Sequence, residues 1–299
     1  MPETILITGS TGFLGKSIID KVNHLMIKTV GRCKSCDFVF DLKNTELSFL
    51  NFHFDTVIHI AGKAHSIPGN IFEQNDFYEV NYKGTINLLN ALLGNPPKKF
   101  VFISTVAVYG ENCGIQIGEN SPLFASDPYG ESKRLAEGVI IDWCSKNNVK
   151  FTILRLPLVI GNIPKGNLKS MVNAIKNGYY FNIAGGNARK SMVLAEDIAS
   201  VILNVSEVGG IYNLTDGYHP SFAELSVCIS KQLGKRKPLN VPMWAARIIA
   251  RIGDLSGNKA PLNSNKLSKI TSNLTFDDTK AREAFGWNPA QVLDGFKIN

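Results

Sequence analysis

The segment DPYGESKRLAE places Tyr129 and Lys133 four residues apart in a stretch with helical character. Residues at this spacing share one face of a helix, so the phenol and the ammonium point the same way. A tyrosine with its ordinary pKa of about 10 is a weak base at neutral pH, but a neighbouring positive charge favours the phenolate. The pair therefore predicts a site for proton transfer.

A third polar residue, Thr105, ends the apolar run KFVFIST, which predicts a strand. Ligands of parallel sheets collect at the carboxyl ends of the strands, where a hydroxyl can hydrogen-bond a reacting oxygen. A Tyr–Lys pair on a helix is more often solvated surface than a reactive site. The chemical interpretation therefore depends on the elements that carry these residues.

Three glycines separate a short apolar run, Ile5 to Thr8, from a helical pattern at the start of the chain. Gly9, Gly12 and Gly15 have G-x-x-G-x-x-G spacing. The first two let backbone N–H groups approach a pyrophosphate at the helix N-terminus, and the third lets the helix pack on the strand. This strand, turn and helix predict a dinucleotide site, with a purely structural turn as the alternative.

The next predicted strand, IKTVGRC, is followed by cations and by no acid, since Arg32 and Lys34 come directly after Gly31. A carboxylate at this place binds the ribose hydroxyls of NAD, whereas a 2′-phosphate calls for cations. Opposite charges about 4 Å apart attract by roughly 4 kcal/mol at an effective dielectric near 20. We therefore favour NADP(H), with NAD as the alternative.

Cys33 and Cys36 lack a second ligand pair, which disfavours a metal or redox role.

Strand-like and helical segments alternate along most of the chain. Strand patterns recur at residues 37–42, 55–62, 99–105, 150–157 and 209–215, and long helical patterns cover residues 70–94 and 127–147. The alternation predicts an α/β fold with a doubly wound parallel Rossmann sheet. We expect a dinucleotide-binding domain at residues 1–160 plus about 190–215, and a smaller C-terminal substrate lobe at residues 161–189 and 216–299.

Composition narrows the class of protein. The 299 residues carry a net charge of +7, but Lys and Arg are scattered and no nucleic-acid-binding motif is present, so we expect no nucleic acid partner. We expect no membrane span and no secretory signal, because no apolar run is long enough. Five cysteines at irregular spacing are typical of a reducing compartment, and we expect a cytoplasmic protein.

Together these motifs resemble the extended short-chain dehydrogenase/reductases, specifically the NAD-dependent epimerase/dehydratase family that acts on nucleotide sugars. The matching segments are TGSTGFLG, HIAGKAH, VNYKGT, STVAVYG, YGESK and FGWNP. The resemblance implies that Thr105, Tyr129 and Lys133 are catalytic. In addition to Arg32 and Lys34, which the charge pattern suggests, the resemblance implies a set of further cofactor-binding residues. They are Gly9, Thr11, Gly12, Phe13, Leu14, Gly15, Asp41, Leu42, Ala61, Gly62, Lys63, Asn81, Tyr129, Lys133 and Pro157.

The resemblance also implies a site for a UDP- or dTDP-linked sugar. Its residues would be His65, Thr105, Asn167, Leu168, Phe181, Arg189 and Lys190. Lys190 stands where relatives usually carry a diphosphate-binding arginine, and a lysine cannot make the bidentate fork. Leu158 stands where UDP-galactose epimerases usually have an asparagine, so sugar recognition must differ. RLPLVIGNIPKGN resembles the subgroup that handles UDP-linked 2-acetamido sugars and their 4-keto, 6-deoxy derivatives.

Three functions fit these residues, and none calls for a metal. We rank first the NADPH-dependent reduction of a UDP-4-keto-6-deoxy-(N-acetyl)hexosamine at C4, second a UDP-hexose or UDP-N-acetylhexosamine 4-epimerase, and third a non-catalytic NADPH-binding regulator. A dehydratase is disfavoured because Val106 and Ala107, rather than Asp and Glu, follow Thr105.

Apolar residues on the Tyr129 helix, among them Val139 and Ile140, suit a homodimer interface as well as core packing.

The segment VPMWAARIIARIGDL is amphipathic, with Arg247 and Arg251 on one stripe and Trp244, Ile248 and Ile252 on another. We expect a helix of the C-terminal lobe that packs its apolar stripe against the core. A helix that lies on a membrane surface is the alternative.

Overall fold

Strands and helices alternate along the chain in this computed structural model, which describes residues 3–44, 52–64, 70–161, 163–164, 166–257, 260 and 262–298. The strands are β1 Thr4–Thr8, β2 Met26–Gly31, β3 Phe38–Val39, β4 Thr56–His59, β5 Lys99–Thr105, β6 Gly114–Ile117, β7 Lys150–Leu156, β8 Leu158–Ile160, β9 Phe181–Ile183, β10 Met192–Leu194, β11 Gly210–Asn213, β12 Leu239–Val241 and β13 Leu274–Phe276. The helices are α1 Phe13–Val22, α2 Ile71–Phe77, α3 Gly84–Ala91, α4 Pro128–Lys146, α5 Gly166–Lys176, α6 Ala195–Val208, α7 Phe222–Gln232, α8 Met243–Asp254, α9 Ser264–Thr271, α10 Thr279–Phe285 and α11 Val292–Gly295.

The described residues form a seven-stranded central sheet in the order β11-β7-β5-β4-β1-β2-β3, with every pair parallel. This sheet confirms the predicted doubly wound α/β fold. Strand order reverses at β1, which pairs with β2 on one side and with β4 on the other. Folds of this class bind ligands in the crevice at the carboxyl ends of the strands beside such a reversal.

Helices cover both faces of the sheet because the strands are apolar on both faces. Ile5 and Ile7 belong to a core cluster with residues of α1 and α6, while Leu6 between them belongs to a second cluster with residues of α3 and α4. Side chains of a strand point alternately to opposite faces, so a single strand anchors both layers.

Helix α4 begins where the sequence predicts, because Asp127 caps it and Pro128 occupies its first position. The Asp127 carboxylate accepts hydrogen bonds from the Tyr129 and Gly130 backbone N–H groups at 3.2 and 3.0 Å. Proline suits this position because its fixed φ is helical and its missing N–H would have no partner. Tyr129 therefore lies in the first turn of α4.

Two elements differ from their sequence patterns. The strand expected at residues 37–42 is only the two residues of β3, at the edge of the sheet. The helix expected at residues 70–94 contains a π-helical turn, Tyr78–Lys83, between α2 and α3. Beyond the central sheet, the pairs β10-β8, β12-β9 and β13-β6 join short segments far apart in the chain, which no local pattern predicted. The division into two lobes stays a prediction.

Helix α8 packs in a different way from the one expected. Its buried residues are Ala246 and Ala250, whereas Trp244, Ile248 and Ile252 are exposed. The prediction that α8 packs this apolar stripe against the core is therefore wrong, because α8 meets α9 through Ala246 and Ala250, with Met243 partly buried beside them. Within the described residues, no helix has the length and apolar character needed to cross a bilayer.

A buried ion pair joins α4 to the central sheet. Arg155 on β7 donates to the Glu137 carboxylate at 2.8 Å, and each side chain is 3% exposed. Ser104, next to the end of β5, also donates to Glu137. Arg155 donates to the Tyr109 hydroxyl at 3.1 Å, and Tyr109 donates to Asn213 at 2.8 Å. These bonds fix α4 against the carboxyl ends of β5 and β7.

We predict that Arg155→Met destabilises the fold by about 3–5 kcal/mol, because it leaves the Glu137 carboxylate buried without its partner. The double variant Arg155→Met/Glu137→Leu should recover much of that loss, because neither charge remains. Urea unfolding at neutral pH measures both differences. Equal destabilisation of the single and double variants would contradict this account.

Candidate active site

A cleft of about 1310 Å³ runs along the carboxyl edge of the sheet. It exceeds the roughly 300–1,000 Å³ of sites for drug-sized ligands, so it has room for a dinucleotide beside a second ligand. Many residues predicted from the sequence line it, namely Gly9, Thr11, Gly12, Phe13, Leu14, Gly15, Arg32, Asp41, Leu42, Ala61, Gly62, Lys63, Thr105, Tyr129, Lys133, Pro157, Asn167 and Leu168.

The glycine turn after β1 is shaped by close backbone contacts. Gly9 has φ +72°, and a Cβ there would lie 2.7 Å from the Ala61 backbone nitrogen. A Cβ on Gly15 would lie 2.2 Å from the Gly9 carbonyl oxygen. Gly12 caps α1 with no side-chain hydrogen bond, so the first N–H groups of α1 face the cleft without a capping acceptor. Such a helix N-terminus suits a phosphate group.

The cations after β2 take different positions. Arg32 lines the cleft, whereas Lys34 is exposed and lies outside the lining. Asp37, the first acidic residue after Lys34 in the sequence, pairs with Lys28 at 3.0 Å. Asp41 does line the cleft, one strand further out. The site therefore offers both a guanidinium and a carboxylate near the edge of the sheet.

The two cysteines of this turn lie in different environments and do not form a disulfide bond with each other. Cys33 is exposed, and the buried Cys36 contacts the Ser10 hydroxyl at 3.8 Å. In the parts of the chain that the structure describes, no three His, Cys, Asp or Glu side chains group as metal ligands would.

Thr105 and Tyr129 meet in the cleft. Thr105 is the last residue of β5, as predicted, and it lines the cleft together with Tyr129. Burial raises the pKa of Tyr129, the nearby Thr105 hydroxyl lowers it and the Asp127 carboxylate raises it, with a net increase. A raised pKa keeps Tyr129 protonated at neutral pH in the unliganded protein.

Lys133 lies one turn behind Tyr129 and is 4% exposed. Its Nζ donates to the Ile103 carbonyl oxygen at 2.6 Å and lies 3.8 Å from the centroid of the Phe102 ring. Burial lowers its pKa to about 7, although the Glu137 carboxylate acts in the opposite direction. The expectation that a neighbouring ammonium and a cationic nicotinamide together favour the Tyr129 phenolate stays a prediction, since burial weakens the charge of Lys133 in the protein alone.

Asn81 holds the loop after β4 and does not line the cleft. It is 1% exposed, and its side chain accepts from the Lys63 backbone N–H at 2.7 Å and donates to the Ser132 hydroxyl at 3.0 Å. Lys63, which lines the cleft, pairs with Asp76 at 2.6 Å. These bonds give Asn81 a positioning role, and its direct contact with a cofactor stays a prediction.

His59 ends β4 as a neutral, structural residue. Its Nδ1 and Nε2 lie 2.6 Å from the Thr8 hydroxyl and 2.9 Å from the Thr85 hydroxyl. Complete burial lowers its pKa to about 3. The end of β4 is thereby tied to the end of β1, beside the glycine turn.

The predicted substrate residues separate into two groups. Asn167 and Leu168, at the start of α5, line the cleft. Phe181 and Arg189 do not, and the Arg189 guanidinium turns away to donate to the His219 carbonyl oxygen at 2.9 Å. His65 lies outside the described residues.

Lys190 does not line the cleft, but its backbone pairs with Leu274, which does, and its charge interacts with that of Lys269, a lysine that the sequence did not suggest. Burial lowers the pKa of Lys190, and the ammonium of Lys269 lowers it further, while Cys113 acts in the opposite direction. Lys269, on α9, does line the cleft. Its helix, SNKLSKIT, carries no motif, so only the folded chain reveals these two neighbouring cations.

The comparisons with known proteins agree with this architecture. The family model described as "NAD dependent epimerase/dehydratase family" matches residues 5–215. A UDP-glucose 4-epimerase of Vibrio cholerae is 28% identical, over 99% of this chain and 94% of the relative. An N-acetyl-α-D-glucosaminyl-diphospho-ditrans,octacis-undecaprenol 4-epimerase of Escherichia coli O157:H7 is 26% identical, over 95% of this chain and 90% of the relative.

A solved structure shares the fold. The UDP-glucose 4-epimerase of Thermotoga maritima, determined with UDP-glucose, superposes with a TM-score of 0.78 at 23% identity, over 99% of this chain and 96% of that one. The chain belongs to the NAD dependent epimerase/dehydratase family. It is accordingly an enzyme built around a nicotinamide cofactor.

We predict that Gly9→Ala abolishes dinucleotide binding and destabilises the fold, because the new Cβ would collide with the Ala61 backbone at a φ that favours glycine. Gly138→Ala is the matched control, since Gly138 is an exposed residue of α4 with open space around its Cα. It should stabilise the fold by about 0.5–1 kcal/mol through helix propensity. Thermal unfolding and NAD binding test both variants, and NAD binding by Gly9→Ala equal to wild type would refute the role of the turn.

Proposed function

We propose that this enzyme is a 4-epimerase of a hexose or 2-acetamidohexose that is carried on a diphosphate. The observation that supports it most is the placement of Thr105 and Tyr129 together at the carboxyl end of β5, in the lining of the cleft that also contains the glycine turn. The names of the two curated relatives, both 4-epimerases, favour it over the 4-ketoreductase that sequence analysis ranked first.

The residues present fit a nicotinamide dinucleotide. Gly9 and Gly12 would admit its pyrophosphate, and Asp41 and Arg32, which line the cleft, would contact its adenosine ribose. When bound, the cofactor would supply the acceptance and return of hydride at carbon. An epimerase oxidises and reduces the same carbon, so the cofactor ends each cycle unchanged. We therefore propose NAD, retained between cycles.

The protein residues would handle the proton. Tyr129 removes the proton of the C4 hydroxyl and returns it, while Thr105 holds the same oxygen. In the unliganded protein the pKa of Tyr129 is raised, so the phenolate needs additional positive charge. Ligands of the cleft that bring positive charge next to Tyr129 or restore the Lys133 charge would favour it.

Arg32 supports a second candidate, the NADPH-dependent 4-ketoreductase. It lines the cleft at the end of β2, where a guanidinium would bind a 2′-phosphate. A reductase consumes its cofactor, whereas an epimerase does not. Mass spectrometry of the nucleotide that co-purifies separates the two. Bound NAD would support the epimerase. Protein that carries no nucleotide and oxidises NADPH in the presence of a UDP-4-keto sugar would support the reductase.

The sugar carrier would be recognised through its diphosphate. Lys269 in the lining and Lys190, whose backbone pairs with the lining residue Leu274, would provide two cations for this group. One relative is named for a UDP sugar and the other for an undecaprenyl diphosphate sugar, and both contain a diphosphate. Leu158, which lines the cleft, offers an apolar surface that suits an acetamido methyl better than a hydroxyl. UDP-glucose, UDP-N-acetylglucosamine and the undecaprenyl diphosphate form of N-acetylglucosamine are the substrates to compare.

We predict that Tyr129→Phe lowers kcat by at least about a hundredfold, since general acid–base groups contribute roughly 10²–10⁴-fold. Bound NAD should remain, because the ring and the backbone are unchanged. Product formation by NMR and nucleotide content after gel filtration measure the two effects. Near-normal turnover by Tyr129→Phe would exclude this residue as the acid–base group.

We predict that UDP affinity falls as the pH rises toward 10.5, the ordinary pKa of lysine, by up to about tenfold per pH unit for one proton. Burial lowers the pKa of Lys190 in the protein without UDP, whereas a bound diphosphate favours the charged form of Lys190. The affinity for UDP is therefore highest below the pKa of Lys190 in the protein without UDP and falls above it. Lys190→Arg stays charged and should flatten the curve, while Lys190→Met should bind weakly throughout. If both variants showed the same dependence of UDP affinity on pH as wild type, the role of Lys190 would be contradicted.

A further inference from the structure

Helix α8 exposes a continuous stripe of large apolar side chains. Trp244, Ile248 and Ile252 follow one another at four-residue spacing, with exposures of 68%, 54% and 64%, and Leu255 just beyond the helix is 90% exposed. Residues at this spacing share one face of a helix. An apolar patch of this kind on a protein surface marks a binding face for a protein or a membrane.

The rest of α8 is firmly attached to the protein. Ala246 and Ala250, on the side opposite the stripe, are buried against Leu267 of α9. The Asp254 carboxylate at the end of α8 accepts from the Ser264 backbone N–H at 2.8 Å, which ties it to the start of α9. The alanine side of α8 faces α9, so the apolar stripe on the opposite side stays exposed.

Positive charge borders the apolar stripe. Arg247 and Arg251, one turn apart, are exposed and form no ion pair with any residue in the described ranges. Lys235, Arg236 and Lys237 are exposed shortly before β12, which leads into α8. A helix with apolar and aromatic residues on one face and arginines beside them suits the interface of an anionic bilayer.

We propose that α8 docks this enzyme on the surface of an anionic lipid bilayer. Trp244 would lie at the level of the headgroups, the isoleucines would enter the acyl boundary, and the arginines would meet lipid phosphates. A second copy of this chain is a poorer partner, because a two-fold α8–α8 contact would place Arg247 and Arg251 against the same positive charges.

Docking through α8 would bring the cleft near the membrane. Helix α9 packs against α8 and carries Lys269, which lines the cleft. Packed helices lie about 8–10 Å apart, so one helix layer would separate the bilayer from this part of the cleft. The surface is separate from the residues of the proposed reaction, and the two proposals can fail independently.

Tryptophan fluorescence tests the docking directly. Of the three tryptophans in the sequence, Trp143 and Trp287 are 9% and 2% exposed, so a change on lipid addition reports Trp244. We expect a blue shift and co-sedimentation of wild-type protein with vesicles of phosphatidylglycerol and phosphatidylcholine, weakened by salt. Vesicles of phosphatidylcholine alone should bind far less.

Surface variants assign the binding to α8. Ile248→Ser/Ile252→Ser and Arg247→Gln/Arg251→Gln should each lower partitioning onto anionic vesicles by roughly tenfold or more, with unfolding midpoints near wild type. Phe72→Ser, which removes an 82% exposed aromatic from α2, is the control and should bind as wild type does. Absence of binding to anionic vesicles would overturn the proposal. So would a dimer in sedimentation velocity that Ile248→Ser/Ile252→Ser dissociates, since a second copy would then cover the stripe.

Discussion

The proposed chemistry depends on the buried ion pair between Glu137 and Arg155. Together with Ser104, this pair holds α4 against the ends of β5 and β7. Tyr129 in the first turn of α4 therefore stays beside Thr105 at the end of β5, and both residues line the cleft. A buried carboxylate is costly unless it is paired, so α4 cannot move along the sheet without losing that compensation. The same carboxylate also favours the charged form of Lys133.

Burial has a second effect, because it sets the resting protonation of the site. Desolvation raises the pKa of Tyr129 and lowers that of Lys133, so it favours the neutral form of both groups. Tyr129 therefore needs a nearby positive charge before it can act as a base at neutral pH. A bound oxidised nicotinamide would supply such a charge.

Local sequence patterns predicted the sheet and much of the site. The glycine turn, the end of β5 at Thr105 and the cap of α4 each depend on a few neighbouring residues, and the structure places all three as expected. Contacts between distant segments were beyond such patterns. Lys269 reaches the cleft from α9, and Arg189 turns toward His219, because the fold of the C-terminal residues decides both. The apolar period of α8 predicted a helix but not which face would be buried, and the buried face is the one that carries Ala246 and Ala250.

The most direct test of the epimerase proposal follows the hydrogen at C4 of the sugar. Purified enzyme without added nucleotide is incubated with the C4-deuterated UDP-sugar or undecaprenyl diphosphate sugar that it converts, and the product is analysed by NMR. The account predicts the C4 epimer with its deuterium retained and no net change in NAD. Failure to form an epimer from any of the deuterated sugars, together with stoichiometric oxidation of NADPH in a parallel incubation with a UDP-4-keto sugar, would contradict it.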